Sequence, residues 1–367
     1  MGIGADGIRL GAAMPRYRMS SDDMGALLSY VKELDGVTDP GVSESSLRIG
    51  VLLPPADVLP EVGADIRALL RTWAADANRA GGIFGRSIEL AFNAPAGDSK
   101  TRAAAAGQFI QRERPFALVS SFTDGADVEL AALAEELRVP LFATMTMHPQ
   151  SSVAPNRYVR DLVAGIGEQG RALARFAATR IGTSKRVAVI EPQQSSVSDE
   201  LRRLGFTVTT EGDAEVVIFL GNPAALPSVI ASARFLLLPA SLAHPALFDR
   251  RQSPMKVYLS FPIAPENPGA EAMARYRRLA EHAEVTRRHQ VSQFAALSSA
   301  QLLVAALECA GREVTREKLL DCVDRVTRLE TGLVPPLTYG LNRHIGSTGS
   351  FIVELQSDQA PVWVDPG

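Results

Sequence analysis

The side chains that ordinarily perform chemistry are few in this chain and do not converge. Its five histidines, His148, His244, His282, His289 and His344, are scattered, and no His/Glu cluster has metal-ligand spacing. No nucleophile elbow and no P-loop is present. Gly2-x-Gly4-x-x-Gly7 matches a dinucleotide fingerprint, but that motif works only between a strand and a helix N-terminus, and Met1 alone stands before it. Cys309 and Cys322 fall in expected helices on either side of a turn at Gly311. They either meet across the hairpin as a disulfide, as an oxidising compartment permits, or stay as two buried thiols. With no further ligands nearby they are not a metal site. A net charge of −3 gives no electrostatic basis for binding nucleic acid or an anionic membrane. The chemistry that remains is recognition: no catalytic residue, metal ligand or resident cofactor is assigned, and a non-enzyme is expected.

Recognition needs elements that hold its side chains in place. At 367 residues, 46% hydrophobic and 22% charged, the chain has the make-up of a globular protein with room for two domains. No uninterrupted apolar run reaches the length of a membrane span, so membrane insertion is not expected. Arg48–Leu53 is a short apolar run, the pattern of a buried parallel strand. After the loop Pro54–Pro60, Val62, Ile66, Leu69, Leu70, Trp73 and Ala77 recur at helical spacing. Gly81-Gly82 ends that helix, because glycine accepts the left-handed backbone of a C-cap. Ser87–Phe92 is the next strand. This is a βαβ unit, which implies a parallel sheet covered by helices.

Asn78-Arg79-Ala80-Gly81-Gly82-Ile83-Phe84-Gly85-Arg86-Ser87-Ile88-Glu89-Leu90 resembles the N-x-x-G-G-I-x-G-R-x-I-E-L turn of type I periplasmic binding proteins. The branched-chain amino acid receptors of ABC importers are the group it resembles most. The resemblance implies an α/β, two-lobed fold, each lobe a parallel sheet flanked by helices, with three crossover segments. It also implies a periplasmic location, a small-molecule ligand and an ABC permease as partner. The strand–helix alternation continues along the chain, but Gln193–Gly205 leaves room for only a brief helix, so a reduced second lobe is expected. Residues 47–157 plus 284–330 would build lobe one, and 158–283 plus 331–367 lobe two.

Residues 1–46 do not share this alternation. Met14-Pro15 precedes Ser20-Ser21-Asp22-Asp23 and a helix, Met24–Leu34, with either serine as its cap. The segment resembles the C-terminal end of a class I cytochrome c, in which Met14 would match the axial haem ligand. The C-x-x-C-H attachment motif is absent, so haem is expected only if an upstream segment supplies it. The segment reads as a cytochrome c-like remnant and linker, the tail of a longer reading frame. That reading would also account for a start, MGIGADGIRL, without signal-peptide character. It brings a second functional reading: a ligand-sensing or accessory module coupled to a periplasmic redox partner.

Open α/β sheets bind ligands beyond the carboxyl ends of their strands, and two facing lobes close over the ligand by hinge motion. The candidate contacts are therefore loop residues. From the first lobe they are Pro55 and Ala56, then Phe122, Thr123 and Asp124, then Met145, Thr146 and Met147. By resemblance Thr123 would offer its hydroxyl to a ligand carboxylate, whereas Asp124 would repel one unless it serves as an N-cap. His148 is either a further contact or a surface turn residue before Pro149. From the second lobe Gln193, Asn222 and Ser241 occupy the corresponding strand ends. Amino acid receptors carry an acidic residue near the last of these to pair the ammonium; Pro239-Ala240-Ser241-Leu242 has none. A buried ammonium without a countercharge is costly. The expected ligand is accordingly a neutral or weakly charged small molecule, aromatic or alcohol-derived, rather than an ordinary α-amino acid.

Overall fold

The structure, a computed structural model, describes residues 19–34, 38–149, 155–181, 186–191, 196–209, 214–230, 233–247, 255–264, 269–356 and 362–364. The chain divides into two compact units between Asp39 and Pro40, not after residue 46. The first unit contains helix α1 (Ser21–Leu34). Ser20 caps it: its Oγ accepts the Asp23 N–H at 3.0 Å, and its hydroxyl donates to the Asp23 carboxylate at 2.7 Å. Met14 lies outside the described residues.

The second unit runs β1 (Ser46–Leu52), α2 (Pro60–Arg79), β2 (Ser87–Asn93), α3 (Ser99–Glu113), β3 (Ala117–Val119), α4 (Asp127–Glu136), β4 (Leu141–Thr144) and β5 (Val159–Val163). It continues α5 (Ile166–Phe176), β6 (Arg186–Ile190), α6 (Ser196–Arg203), β7 (Thr207–Thr209), β8 (Val216–Phe219), α7 (Leu226–Ile230), β9 (Phe235–Pro239) and β10 (Lys256–Phe261). It closes with α8 (Ala270–His282), α9 (Gln290–Ala310), α10 (Arg316–Asp324), β11 (Ile345–Ser347), β12 (Phe351–Leu355) and β13 (Val362–Val364).

These strands form two sheets, ordered β11-β5-β4-β3-β1-β2 and β13-β12-β10-β9-β8-β6-β7. The first is parallel throughout. The second is parallel from β7 to β10 and closes with antiparallel β12 and β13. The chain passes between sheets three times: after β5, after β10 and after β11. This is the two-lobed periplasmic binding protein fold.

The crossovers do not fall where the sequence placed them. Val159–Val163 pairs with β4, so the first lobe continues past residue 157. Residues 270–282 belong to the first lobe as well, since Tyr276 packs edge-on against Phe294 of α9 with ring centroids 4.9 Å apart. Past residue 330, β11 pairs with β5 and completes the first sheet. Strands of three to five residues carry too little periodicity to be separated from crossing segments by pattern alone. Helix α5 accordingly starts only at Ile166, after β5. The second lobe is not reduced in its sheet, which has seven strands; it is reduced in its helices, with α6 and α7 only 8 and 5 residues long.

Each lobe closes over its own core, because a helix stripe and a sheet face must bury their apolar surfaces against each other. In the first, Leu47, Ile49, Leu69, Phe116 and Phe142 meet Phe294, Leu302 and Leu303 of α9. In the second, Leu173 and Phe176 of α5 meet Val187, Ile218, Leu237 and Leu259. Residues 287–310, spanning α9, are long and apolar enough to cross a bilayer, but 67% of the apolar window is buried within the first lobe. The apolar composition of α9 is that of a central core helix. Cys309 and Cys322 form a disulfide between α9 and α10 with their Cα atoms 5.9 Å apart, which resolves the two alternatives for these thiols.

Candidate functional site

The carboxyl ends of β1, β3 and β4 lie side by side, and main-chain bonds knit their loops together. Phe122 N–H donates to Leu52 O at 2.7 Å, Met145 N–H to Ser121 O at 2.8 Å, and Thr123 N–H to Met145 O at 3.1 Å. Ser120 and Ala143 both take left-handed backbone, with φ of 55° and 53°, and the β4–β5 register slips between Phe142 and Thr144. Such bulges re-aim side chains next to sites. Helix α9 supports both points: Ser299 Oγ donates to Ala143 O at 3.0 Å and Ser120 Oγ to Ala296 O at 3.4 Å. The start of α9 is fixed in turn, because Gln293 Nε2 donates to Asp65 Oδ2 at 3.0 Å and to Thr286 O at 2.7 Å.

This framework borders a cleft of about 530 Å³, within the usual range for small-molecule sites, roughly 300–1,000 Å³. Pro55, Phe122, Asp124, Met145, Thr146 and Met147 line it from the first-lobe loops, and Ser241 lines it from the turn after β9. The rest of the wall was not anticipated from sequence: Val58, Leu59, Arg102, Val163, Pro262, Ile263, Val291, Ser292 and Ala295. Most of these are apolar. Pro262 and Ile263 follow β10 at a crossover, and Val291, Ser292 and Ala295 belong to α9, elements that only the chain's return to the first lobe brings here. Arg102 did carry a signal, since it shares the inward face of α3 with Ala106, Phe109 and Ile110 at helical spacing.

Three expected contacts stand elsewhere. Ala56 lines a separate hollow of about 300 Å³ with Arg67 and Arg71 of α2. Thr123 is only 3% exposed, and its hydroxyl donates to Asp127 Oδ1 at 2.8 Å. Asn222 is exposed and caps a short 3₁₀ turn, accepting the Ala224 N–H at 3.0 Å. Gln193 lies outside the described residues. His148 is exposed in its turn and does not line the cleft.

Nor is Asp124 a helix cap, for α4 begins after Ala126. Its Oδ1 accepts the Met147 N–H at 2.9 Å and the Thr146 hydroxyl at 3.4 Å, which clips the two loops together. Asp127, behind them, has its carboxyl pushed above the usual range, chiefly by burial, against the lowering effect of hydrogen bonds from Thr146 and Thr123. Among the described residues no group of three or more His, Cys, Asp or Glu side chains is placed to hold a metal ion.

Comparison with known proteins matches residues 46–217 to the family described as periplasmic binding protein, a family of non-catalytic receptors. No curated protein sequence matches the chain. Among solved structures, it is similar to a fatty acid ABC transporter substrate-binding protein from Thermomonospora curvata, at 15% identity and a TM-score of 0.69, covering 90% of this chain and 95% of that one. It is similar to a branched-chain amino acid ABC transporter protein from Thermus thermophilus with bound valine, at 16% identity and 0.65, covering 90% and 96%. It is also similar to a substrate-binding protein from Desulfitobacterium hafniense in complex with Leu, at 14% identity and 0.65, covering 87% and 100%. At these identities the likeness is one of fold. None of these comparisons supports the cytochrome c resemblance of residues 1–46.

Proposed function

We propose that this chain is the solute-binding receptor of an ABC-type importer, which takes up a small molecule in the periplasm by hinge closure and presents it to a membrane permease. The observation that carries this reading is the apolar cleft at the carboxyl ends of the first-lobe strands, with Ser241 contributed from the second lobe. The match of residues 46–217 to periplasmic binding proteins supports it. The ligand is an apolar small molecule other than an ordinary α-amino acid. Two features support that exclusion: Ser241 stands where an ammonium would need an acid, and the Thr123 hydroxyl is committed to Asp127 instead of a ligand carboxylate. The proteins named for fatty acids and for valine use the same fold for ligands with apolar tails, with and without an amino group.

A thermal-shift screen against amino acids and apolar acids, amides and alcohols tests the reading. A ligand at about 100 times its dissociation constant should stabilise the protein by about 2.7 kcal/mol. Tight leucine binding would overturn the exclusion of amino acids. The absence of any stabilising compound across all four classes would overturn the receptor.

A further inference from the structure

We propose that Arg102 is the head-group residue of the cleft and pairs side-on with a carboxylate carried by an otherwise apolar ligand. The proposal rests on the receptor reading above and departs from the neutral ligand that the loops alone suggest.

Arg102 is 5% exposed, sits one turn into α3 and forms part of the cleft wall. Its Nη1 donates to Asp124 O at 2.7 Å. Among the described residues its Nε and Nη2 have no hydrogen-bond partner, and both atoms are shielded from water, so a ligand meets them only as the Arg102 side chain turns toward the cavity. These two nitrogens share one edge of the planar guanidinium and send parallel N–H bonds the same way. That edge is the fork a carboxylate meets with both oxygens. A buried cation with unmatched donors is costly, so an anionic ligand group gains by satisfying it where a neutral tail does not.

The nearby charges leave this role open. Among the described residues Asp124 is the only carboxylate in the cleft wall, and its Oδ1 is engaged by Met147 and Thr146. Asp127 accepts from Thr123 and from the Gly125 N–H at 3.2 Å. Neither carboxylate bonds Arg102 directly. The Phe122 ring lies 6.0 Å from the guanidinium carbon and borders the same cleft, so the head group would seat beside that ring. The apolar remainder of the wall, with Met145, Met147 and Ile263, suits a hydrocarbon or phenyl tail.

The test uses titration calorimetry on the full chain with matched probes: 4-methylpentanoate, octanoate and 3-phenylpropanoate, each against its primary amide, and leucine against 4-methylpentanoate. The expected result is at least one carboxylate bound tenfold or more tighter than its amide, with the preference abolished in Arg102→Gln and only partly kept in Arg102→Lys, which retains charge but not the fork. Should Arg102→Gln not fold, the wild-type carboxylate-to-amide ratio and Arg102→Lys still decide. Equal binding of acid and amide by the wild type, or a preference that survives Arg102→Gln, overturns the proposal and leaves the receptor reading standing. Leucine bound more tightly than 4-methylpentanoate, and lost in Arg102→Gln, supports the head-group role while overturning the exclusion of amino acids. No binding of any probe overturns the carboxylate assignment; a stabilising alcohol or amide in the wider screen would then keep the receptor.

Discussion

Asn78→Ala should be among the most damaging substitutions on the half-buried surface of the first lobe. The Asn78 amide imitates a neighbouring strand: its Nδ2 donates to Ile88 O at 3.0 Å and its Oδ1 accepts the Ile88 N–H at 2.7 Å. Ile88 is 3% exposed, so water is poorly placed to replace either bond. Each bond contributes about 1 kcal/mol net, and each buried group left unmatched costs about 1–3 kcal/mol. Alanine should therefore cost about 2–4 kcal/mol. For a chain of this size that corresponds to a drop of about 3–5 °C in the thermal midpoint. Asn78→Asp separates the two bonds. It keeps an acceptor for Ile88 N–H but faces Ile88 O with a second acceptor, so it should lose at least the donor's share. Thermal unfolding followed by circular dichroism reads both variants, with chemical unfolding to convert the shift into free energy. A loss below about 0.5 kcal/mol for the alanine variant, the range of an ordinary surface change, would refute the reasoning.

The Cys309–Cys322 disulfide joins residues 13 positions apart, and removing it should cost about 3 kcal/mol by loop entropy; comparing thermal midpoints of Cys309→Ser/Cys322→Ser and wild type, with and without reductant, checks this. Arg160 and Asp324 make a two-pronged pair at 2.7 and 2.8 Å, with side chains 3% and 10% exposed. Asp324→Asn should cost about 3–5 kcal/mol by stranding the buried cation, read as a shifted unfolding midpoint. His344 Nδ1 lies 3.1 Å from Arg160 Nη1, and burial first, then the Arg160 charge, lower its pKa in the folded state. The unfolded state then takes up a proton that the folded state refuses, so stability is full above about pH 6.5 and falls as pH drops below it. His344→Gln should flatten that acid-side slope in midpoint-against-pH curves; an unchanged slope would show that His344 is not its source.

The sequence by itself determined the turn 78–90 and with it the fold. Gly82 takes a φ of +65°, and a Cβ there would lie 2.0 Å from Arg86 O. Asn78 clamps Ile88, Arg86 reaches Ser43 O and Arg312 O at 2.6 Å, and Glu89 pairs with Arg48. Apart from the Arg86 bond to Arg312, these contacts are local or made to the neighbouring first strand and the segment leading into it, so the motif's meaning survives without most of the chain. The first-lobe loops were legible for the same reason: Phe122, Asp124, Met145, Thr146 and Met147 follow strands whose apolar runs are plain. Only the tertiary structure decided how the loops face. Thr123 turned inward to Asp127 and Asn222 outward to cap its own turn, because the Asp127 carboxylate and the Ala224 N–H offered those side chains closer partners. Short strands β5 and β11 joined the first sheet through pairing that periodicity does not encode, and they moved the first and last crossovers. The residues sequence reading missed, Ile263, Val291, Ala295 and Arg102, reach the cleft from α9, a crossover and the inward face of α3. Ile263, Val291 and Ala295 lie far along the chain from the first-lobe loops, and the contacts that unite them exist only once the chain has returned to the first lobe.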